Sequence, residues 1–144
     1  MSATEQRALA EALTAEYAAV YAYGVIAAHT AADQRRTVAQ HTAAHRARRD
    51  STVDLLTGQR ATVPPPDPAY TVPIPVADPD SAARLAIVVE TDTAVAWRAV
   101  VERADTESTR RIAVEALTEC AGRRAVWLSA RGTAPATTAF PGRP

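Results

Sequence analysis

Apolar and polar positions alternate along this chain with the period of a helix almost throughout. Leu9, Leu13, Glu16, Val20, Tyr23 and Ala27 follow one another at steps of four and three, which puts them on one helix face and places a carboxylate inside an otherwise apolar stripe. Ser2 followed by Glu5 is a capping-box pattern and no proline occurs before Pro64, so a first helix is predicted over about 3–29. Thr30 to Asp33 is a short polar break. Asp33 is a suitable cap for a second helix over 33–57, ended by Gly58. Its inward stripe is Val38, His41 or Thr42, His45, Arg48 or Arg49, Thr52 and Leu55 or Leu56, which is unusually polar for a core.

Asp78-Pro79 supplies a cap and a proline at the first helical position, opening a third helix over 79–104 with Leu85, Val88, Val89, Trp97, Val100 and Val101 as its apolar face. Asp105-Thr106 marks a tight break before a fourth helix over 106–130 that carries Ile112, Leu117, Cys120, Val126 and Trp127. Residues 131–144 form a tail, in which Phe140 is expected to pack back onto the body.

Residues 58–78 cannot be helical: with Pro79 they hold seven of the ten prolines. A proline-rich segment of about twenty residues at roughly 3.1 Å each reaches about 65 Å, whereas a helix of about 26 residues is about 39 Å long. The segment can therefore run the length of a bundle and return the chain to its other end. The predicted fold is all-α: one ferritin-like four-helix bundle spanning 1–144, made of two antiparallel hairpins joined by a long Pro-rich crossover.

Composition narrows the function classes. With 16 basic and 16 acidic residues the net charge is zero, so there is no global field to recruit nucleic acid or an anionic membrane. Every basic residue is Arg. The single cysteine, Cys120, excludes an internal disulfide and a Cys-rich zinc site, and it looks like a core residue. The longest apolar run, Tyr17 to Ala28, is too short to span a bilayer and no signal-peptide pattern precedes it, so a cytoplasmic location is expected.

The candidate chemistry lies in four residues. Glu16 precedes His45 by 29 positions and Glu90 precedes Glu119 by 29, so the two pairs have midpoints at the two tight turns, 30.5 and 104.5. Residues equidistant from the turn of an antiparallel hairpin sit at one height, and each pair should face across its own hairpin. The pattern recurs after 74 residues: Tyr23 and Trp97 each lie seven beyond a carboxylate, and Arg49 and Arg123 each lie four beyond its partner, which reads as an internal duplication. Di-iron bundles use one Glu from each of two helices and a Glu-x-x-His pair from each of the other two. Glu16 and Glu90 match the single carboxylates, while the second helix offers Thr42-x-x-His45 and the fourth Glu119-x-x-Gly122, leaving four of six ligands.

Two readings follow. In one, Glu16, His45, Glu90 and Glu119 hold a single Fe or Mn ion, mixed carboxylate and imidazole ligation being suited to these metals. In the other, Arg49 and Arg123 neutralise Glu16 and Glu90 without metal. His41 and His45 at i, i+4 spacing add only weak support for a metal, and His29 near a helix end is placed to answer the dipole. Tyr17, Tyr21 and Tyr23 fall on different faces of the first helix, so at least one is expected at the surface.

With Glu16-Tyr-Ala-Ala-Val-Tyr-Ala-Tyr-Gly24, His45-Arg-Ala-Arg-Arg-Asp50, Ala96-Trp-Arg-Ala-Val-Val-Glu102 and Ala139-Phe-Pro-Gly142, the chain resembles, over nearly its whole length, a group of actinobacterial ferritin-like domains of unknown function. The resemblance implies the bundle fold and brings no substrate, reaction or cofactor. On the depleted ligand set, the leading expectation is a metal-free structural or interaction module with no catalytic residues. The alternative is a mononuclear iron or manganese oxidoreductase. Homo-oligomer contacts, a protein partner or a small apolar ligand remain open for an alanine-rich bundle of this kind.

Overall fold

The computed structural model describes residues 1–144 and contains four long helices and no strand. They are α1 (Ala3–His29), α2 (Arg35–Gly58), α3 (Pro79–Arg103) and α4 (Glu107–Ala130). The all-α four-helix bundle read from periodicity is the observed architecture.

Helix ends follow the local chemistry, with three departures from expectation. The Ser2 hydroxyl accepts the Glu5 N–H at 3.2 Å, but the Glu5 carboxylate does not return to complete the box. It is fully buried and crosses to the α3–α4 turn, accepting from the Asp105 N–H at 3.2 Å and the Thr106 hydroxyl at 3.0 Å. Asp33 does not cap α2, because Ala32–Gln34 forms a 3-10 turn and Gln34 is the cap, with no side-chain hydrogen bond. Gly58 is still helical; Arg60 takes the left-handed conformation (φ 55°) and lets the Ala61 N–H reach the Leu56 carbonyl at 3.0 Å. By contrast, α3 opens with the expected cap: Asp78 accepts from the Ser81 N–H at 2.8 Å, with Pro79 at the first helical position.

Cross-helix pairs set direction. Glu11 faces Arg103, Glu16 faces Trp97 and Tyr23 faces Glu90, so numbers fall on α3 as they rise on α1 and the two run antiparallel. Glu16–His45 with Tyr23–His41 gives the same relation for α1 and α2, and Glu90–Arg123 with Asp80–Arg131 for α3 and α4. Both α2 and α3 oppose α1, so they run parallel to each other, as the crossover requires. The crossover leaves α2 against the lower half of the core, where Ala61 and Val63 pack and the Tyr17 hydroxyl donates to the Pro64 carbonyl at 3.2 Å. It then passes Tyr70, whose ring stacks on Tyr21, and reaches the upper half with Val72, Ile74 and Val76. It thus traverses the bundle.

The core is divided. One apolar cluster gathers Leu9, Leu13, Leu56, Trp97, Val100, Ala113 and Cys120; the other gathers Ala22, Tyr23, Ile26, Val38, Leu85, Val89 and Trp127. Polar side chains occupy the level between them. The expected stripes are shifted in places. On α1 the buried face turns to Ala19, Ala22 and Ile26 instead of Val20 and Ala27, because the crossover covers that side. On α4 Val126 is exposed while Ala113, Ala116, Cys120 and Trp127 are buried. Phe140 does not dock: it is 63% exposed, and the tail is instead seated by Gly142 (φ 74°), where an added Cβ would lie 2.4 Å from the Ala94 carbonyl oxygen.

Candidate functional site

Mid-height in the bundle, Glu16, His45 and Glu90 converge with no solvent exposure. The His45 ring lies between the two carboxylates, with Nδ1 2.6 Å from Glu16 Oε2 and Nε2 2.9 Å from Glu90 Oε1. A carboxylate offers only lone pairs, so both ring nitrogens must carry protons to make both bonds and His45 is an imidazolium. Burial alone pulls its pKa down, but the hydrogen bonds and charges of Glu16 and Glu90 outweigh it and raise the pKa to about 9.

The second oxygen of Glu16 accepts the indole N–H of Trp97 at 2.7 Å, and Glu90 Oε1 accepts the Tyr23 hydroxyl at 2.6 Å. Tyr23 and Trp97 are the residues seven positions beyond each carboxylate, and each crosses to the carboxylate of the other hairpin. Arg123 closes the network with its Nε 3.1 Å from both Glu90 oxygens. Burial pushes the Glu90 carboxyl up, but His45, Arg123 and Tyr23 together hold it below the usual range. Two carboxylates thus face one imidazolium and one guanidinium, and the cluster is neutral. No buried side-chain nitrogen or oxygen lacks a hydrogen-bond partner.

Above Tyr23 the network continues into neutral groups. The Trp127 indole N–H lies 3.1 Å from both the Tyr23 oxygen and His41 Nδ1. The Tyr23 proton is committed to Glu90, so the indole N–H is shared between two acceptors and His41 carries its proton on Nε2. Burial lowers the His41 pKa to about 4; Glu90 opposes that fall, and the Arg123 and His45 charges add to it. Burial, then Glu90, push the Tyr23 phenol far up. Burial raises the Cys120 thiol to about 12, so it stays protonated against the lower apolar cluster.

Of the four residues singled out by spacing, three meet and one does not. Glu119 is half exposed and accepts from Arg48 at 2.8 Å on the surface. The inward positions of α4 are Ala113, Ala116, Cys120 and Trp127, so residue 119 is turned about 100° from Cys120 and about 60° from Ala116, off the edge of the buried face. Arg123 enters in its place. Arg49 does not approach Glu16; it pairs with its neighbour Asp50 at 2.7 Å. Of the three tyrosines on α1, Tyr23 is buried, Tyr17 half-buried and Tyr21 exposed. Spacing gives no sign of Trp127 or of the place of His41 in this network, whereas the repeated interval of seven residues after Glu16 and Glu90 is the signal for Tyr23 and Trp97. No group of three or more His, Cys, Asp or Glu side chains has the arrangement of a metal site.

A solved structure shares this architecture. It is a conserved hypothetical protein, rv2844, from Mycobacterium tuberculosis, with a TM-score of 0.88, 37% sequence identity and coverage of 90% of this chain and 98% of that one. No curated protein matches the chain. Residues 8–144 match the family described as Domain of unknown function (DUF4439), and the chain belongs to that family.

Proposed function

We propose that the chain is a ferritin-like bundle in which protein cations stand where the superfamily's di-iron site would be, leaving a metal-free structural or interaction module. The observation that carries this reading is the placement of the His45 ring between two carboxylates, one at each nitrogen. Both of its nitrogens serve as donors to Glu16 and Glu90, so neither has a lone pair to offer a metal. Arg123 lies against Glu90 and would repel a second cation. The donor set therefore does not suit Fe or Mn as it stands. Two antiparallel hairpins, the traversing crossover and the carboxylates at mid-height support placement in the ferritin-like superfamily, and the Mycobacterium tuberculosis relative supports an actinobacterial origin. The cytoplasm is the proposed compartment, since the lone thiol, Cys120, has no disulfide partner; no helix is long and apolar enough to cross a membrane.

The competing reading, a mononuclear iron or manganese oxidoreductase, draws on the meeting of Glu16, His45 and Glu90 within hydrogen-bond distance. Metal uptake there would require His45 to lose a proton and Arg123 to withdraw. Elemental analysis after anaerobic loading with Fe(II) or Mn(II) separates the two. The module reading expects metal far below one ion per chain at neutral pH. Stoichiometric binding that disappears in Glu16→Ala and His45→Ala would overturn it.

A further inference from the structure

A cleft of about 330 Å³ opens on the outside of the bundle, between α1, α3 and crossover residues 70–73. Its floor is laid by Ala15, Ala18, Ala19 and Ala22, whose short side chains leave the space, with Val89 beside them. One wall is the Tyr21–Tyr70 pair, stacked with ring centroids 5.2 Å apart. Tyr70 is held in place, its hydroxyl accepting the Asp67 N–H at 2.9 Å. This volume is at the small end of ligand pockets, which span roughly 300–1,000 Å³.

The charges on the rim have one sign. Asp92 and Glu11 line the cleft and no arginine or histidine does, in a chain with as many cations as anions. Glu11 has a distant exposed partner, Arg103, at 3.6 Å. Asp92 has no cation within ion-pair distance: it stands exposed at the rim, and the part of it that is covered raises its carboxyl.

We propose that this cleft binds a small organic cation with a flat apolar body. The ring would lie on the alanine floor against the tyrosine faces, and the ammonium would meet Asp92. A neutral molecule of the same shape would cover Asp92 without pairing it, and an anion would be repelled. Aromatic faces beside the charge favour a cation over either. None of the cleft's polar groups takes part in the buried network, so this site stands whether or not the network reading does.

The experiment uses 2-phenylethylamine as probe, with 2-phenylethanol and phenylacetate as its neutral and anionic counterparts, followed by calorimetry and by thermal shift. Saturable amine binding is expected, weakening with added salt, with the alcohol at least about tenfold weaker and the acid not binding. Asp92→Asn should remove that preference by weakening the amine about tenfold while leaving the alcohol unchanged. Ala18→Leu, a change at an exposed position that fills the floor, should abolish both. The proposal is overturned if the amine fails to saturate by about 10 mM, if amine and alcohol bind equally, or if neither substitution alters amine binding.

Discussion

Replacing His45 with glutamine removes the only cation that touches both Glu16 and Glu90, and the consequence can be worked from its titration. Its pKa of 6.5 in an unfolded chain rises to about 9 in the bundle, a difference worth on the order of 3 kcal/mol at about 1.4 kcal/mol per pH unit. The folded value is the higher one, so this stabilisation is fully present below pH 6.5 and is lost as pH rises through 9. With a urea slope of about 1–3 kcal/mol/M, the wild-type midpoint should fall by about 1–3 M between pH 6.5 and pH 10. His45→Gln leaves two carboxylates against one guanidinium and should lower stability at pH 7 by about 3–5 kcal/mol. Its midpoint should lack the alkaline fall attributable to residue 45, so the gap between the two proteins narrows toward pH 10. Titrations that are the same in both proteins cancel in the difference. The surplus carboxylate in the variant should also take up a proton: its folded pKa is raised, so the variant recovers stability as pH falls toward 5. Urea titrations of both proteins at half-unit pH intervals provide the measurement. Parallel curves from pH 6.5 to 10, or an imidazole nitrogen NMR signature of a neutral ring at pH 7, would refute the assignment of His45 as an imidazolium clamp.

Glu90→Gln should cost about 3 kcal/mol or more, because His45 and Arg123 are left facing a neutral amide, whereas Glu119→Gln at the half-exposed surface pair should cost at most about 1 kcal/mol. Equal losses in urea denaturation would mean that the inward and outward carboxylates have been exchanged. Trp97→Phe removes the indole donor to Glu16 and should cost about 1.5–3 kcal/mol; a double-mutant cycle with Glu16→Gln should show coupling of about 1 kcal/mol or more, and one with Glu119→Gln none. His41 has a folded pKa of about 4, below its unfolded 6.5, so the stability that depends on its neutral form is present above pH 6.5 and is lost as pH falls toward 4. A His41→Leu variant should show a shallower acid limb in thermal melts between pH 6.5 and pH 4.

The helices were legible because their ends are chemically marked: Ser2, Pro79 with Asp78, and Thr106 all stand where they cap or open a helix. Height along the hairpins was legible too, since distance from a turn fixes it, and Glu16 and His45 do meet. Rotation about the helix axis was not. Glu119 and Arg123 are one turn apart, and both are compatible with the polar stripe of α4; only packing against α2 and α3 decides that the guanidinium goes inward. The duplication that pairs His45 with Glu119 and Arg49 with Arg123 holds for the first and third helices, where Tyr23 and Trp97 exchange carboxylates. It fails for the second and fourth, where His45 enters on one side and Arg123 on the other. The failure has an electrostatic reason. A symmetric arrangement with Glu119 inward would bury three carboxylates against one imidazolium; the observed one buries two against two cations. The tail was misread because its anchor is a backbone contact through Gly142, which leaves no trace in hydrophobicity.

Every hydrogen bond joining the core of this network runs between helices, and together they connect all six helix pairs. Glu16–His45 joins α1 to α2, Trp97–Glu16 and Tyr23–Glu90 join α1 to α3, and Trp127–Tyr23 joins α1 to α4. His45–Glu90 joins α2 to α3, Trp127–His41 joins α2 to α4, and Arg123–Glu90 joins α3 to α4. An apolar layer of the same volume could match or exceed its stability, since buried ion pairs repay their desolvation poorly. Alanine-rich helices, however, present smooth surfaces on which neighbouring registers differ little in packing. Sliding one helix by a single residue moves its side chains by about 1.5 Å and turns them by about 100°, which would strand a buried carboxylate or imidazolium. The network therefore penalises displacement of any helix against any other, and what it contributes is a single register of four otherwise slippery helices. With its own charges filling the centre, the bundle holds its outer faces in one arrangement, the cleft beside Asp92 among them.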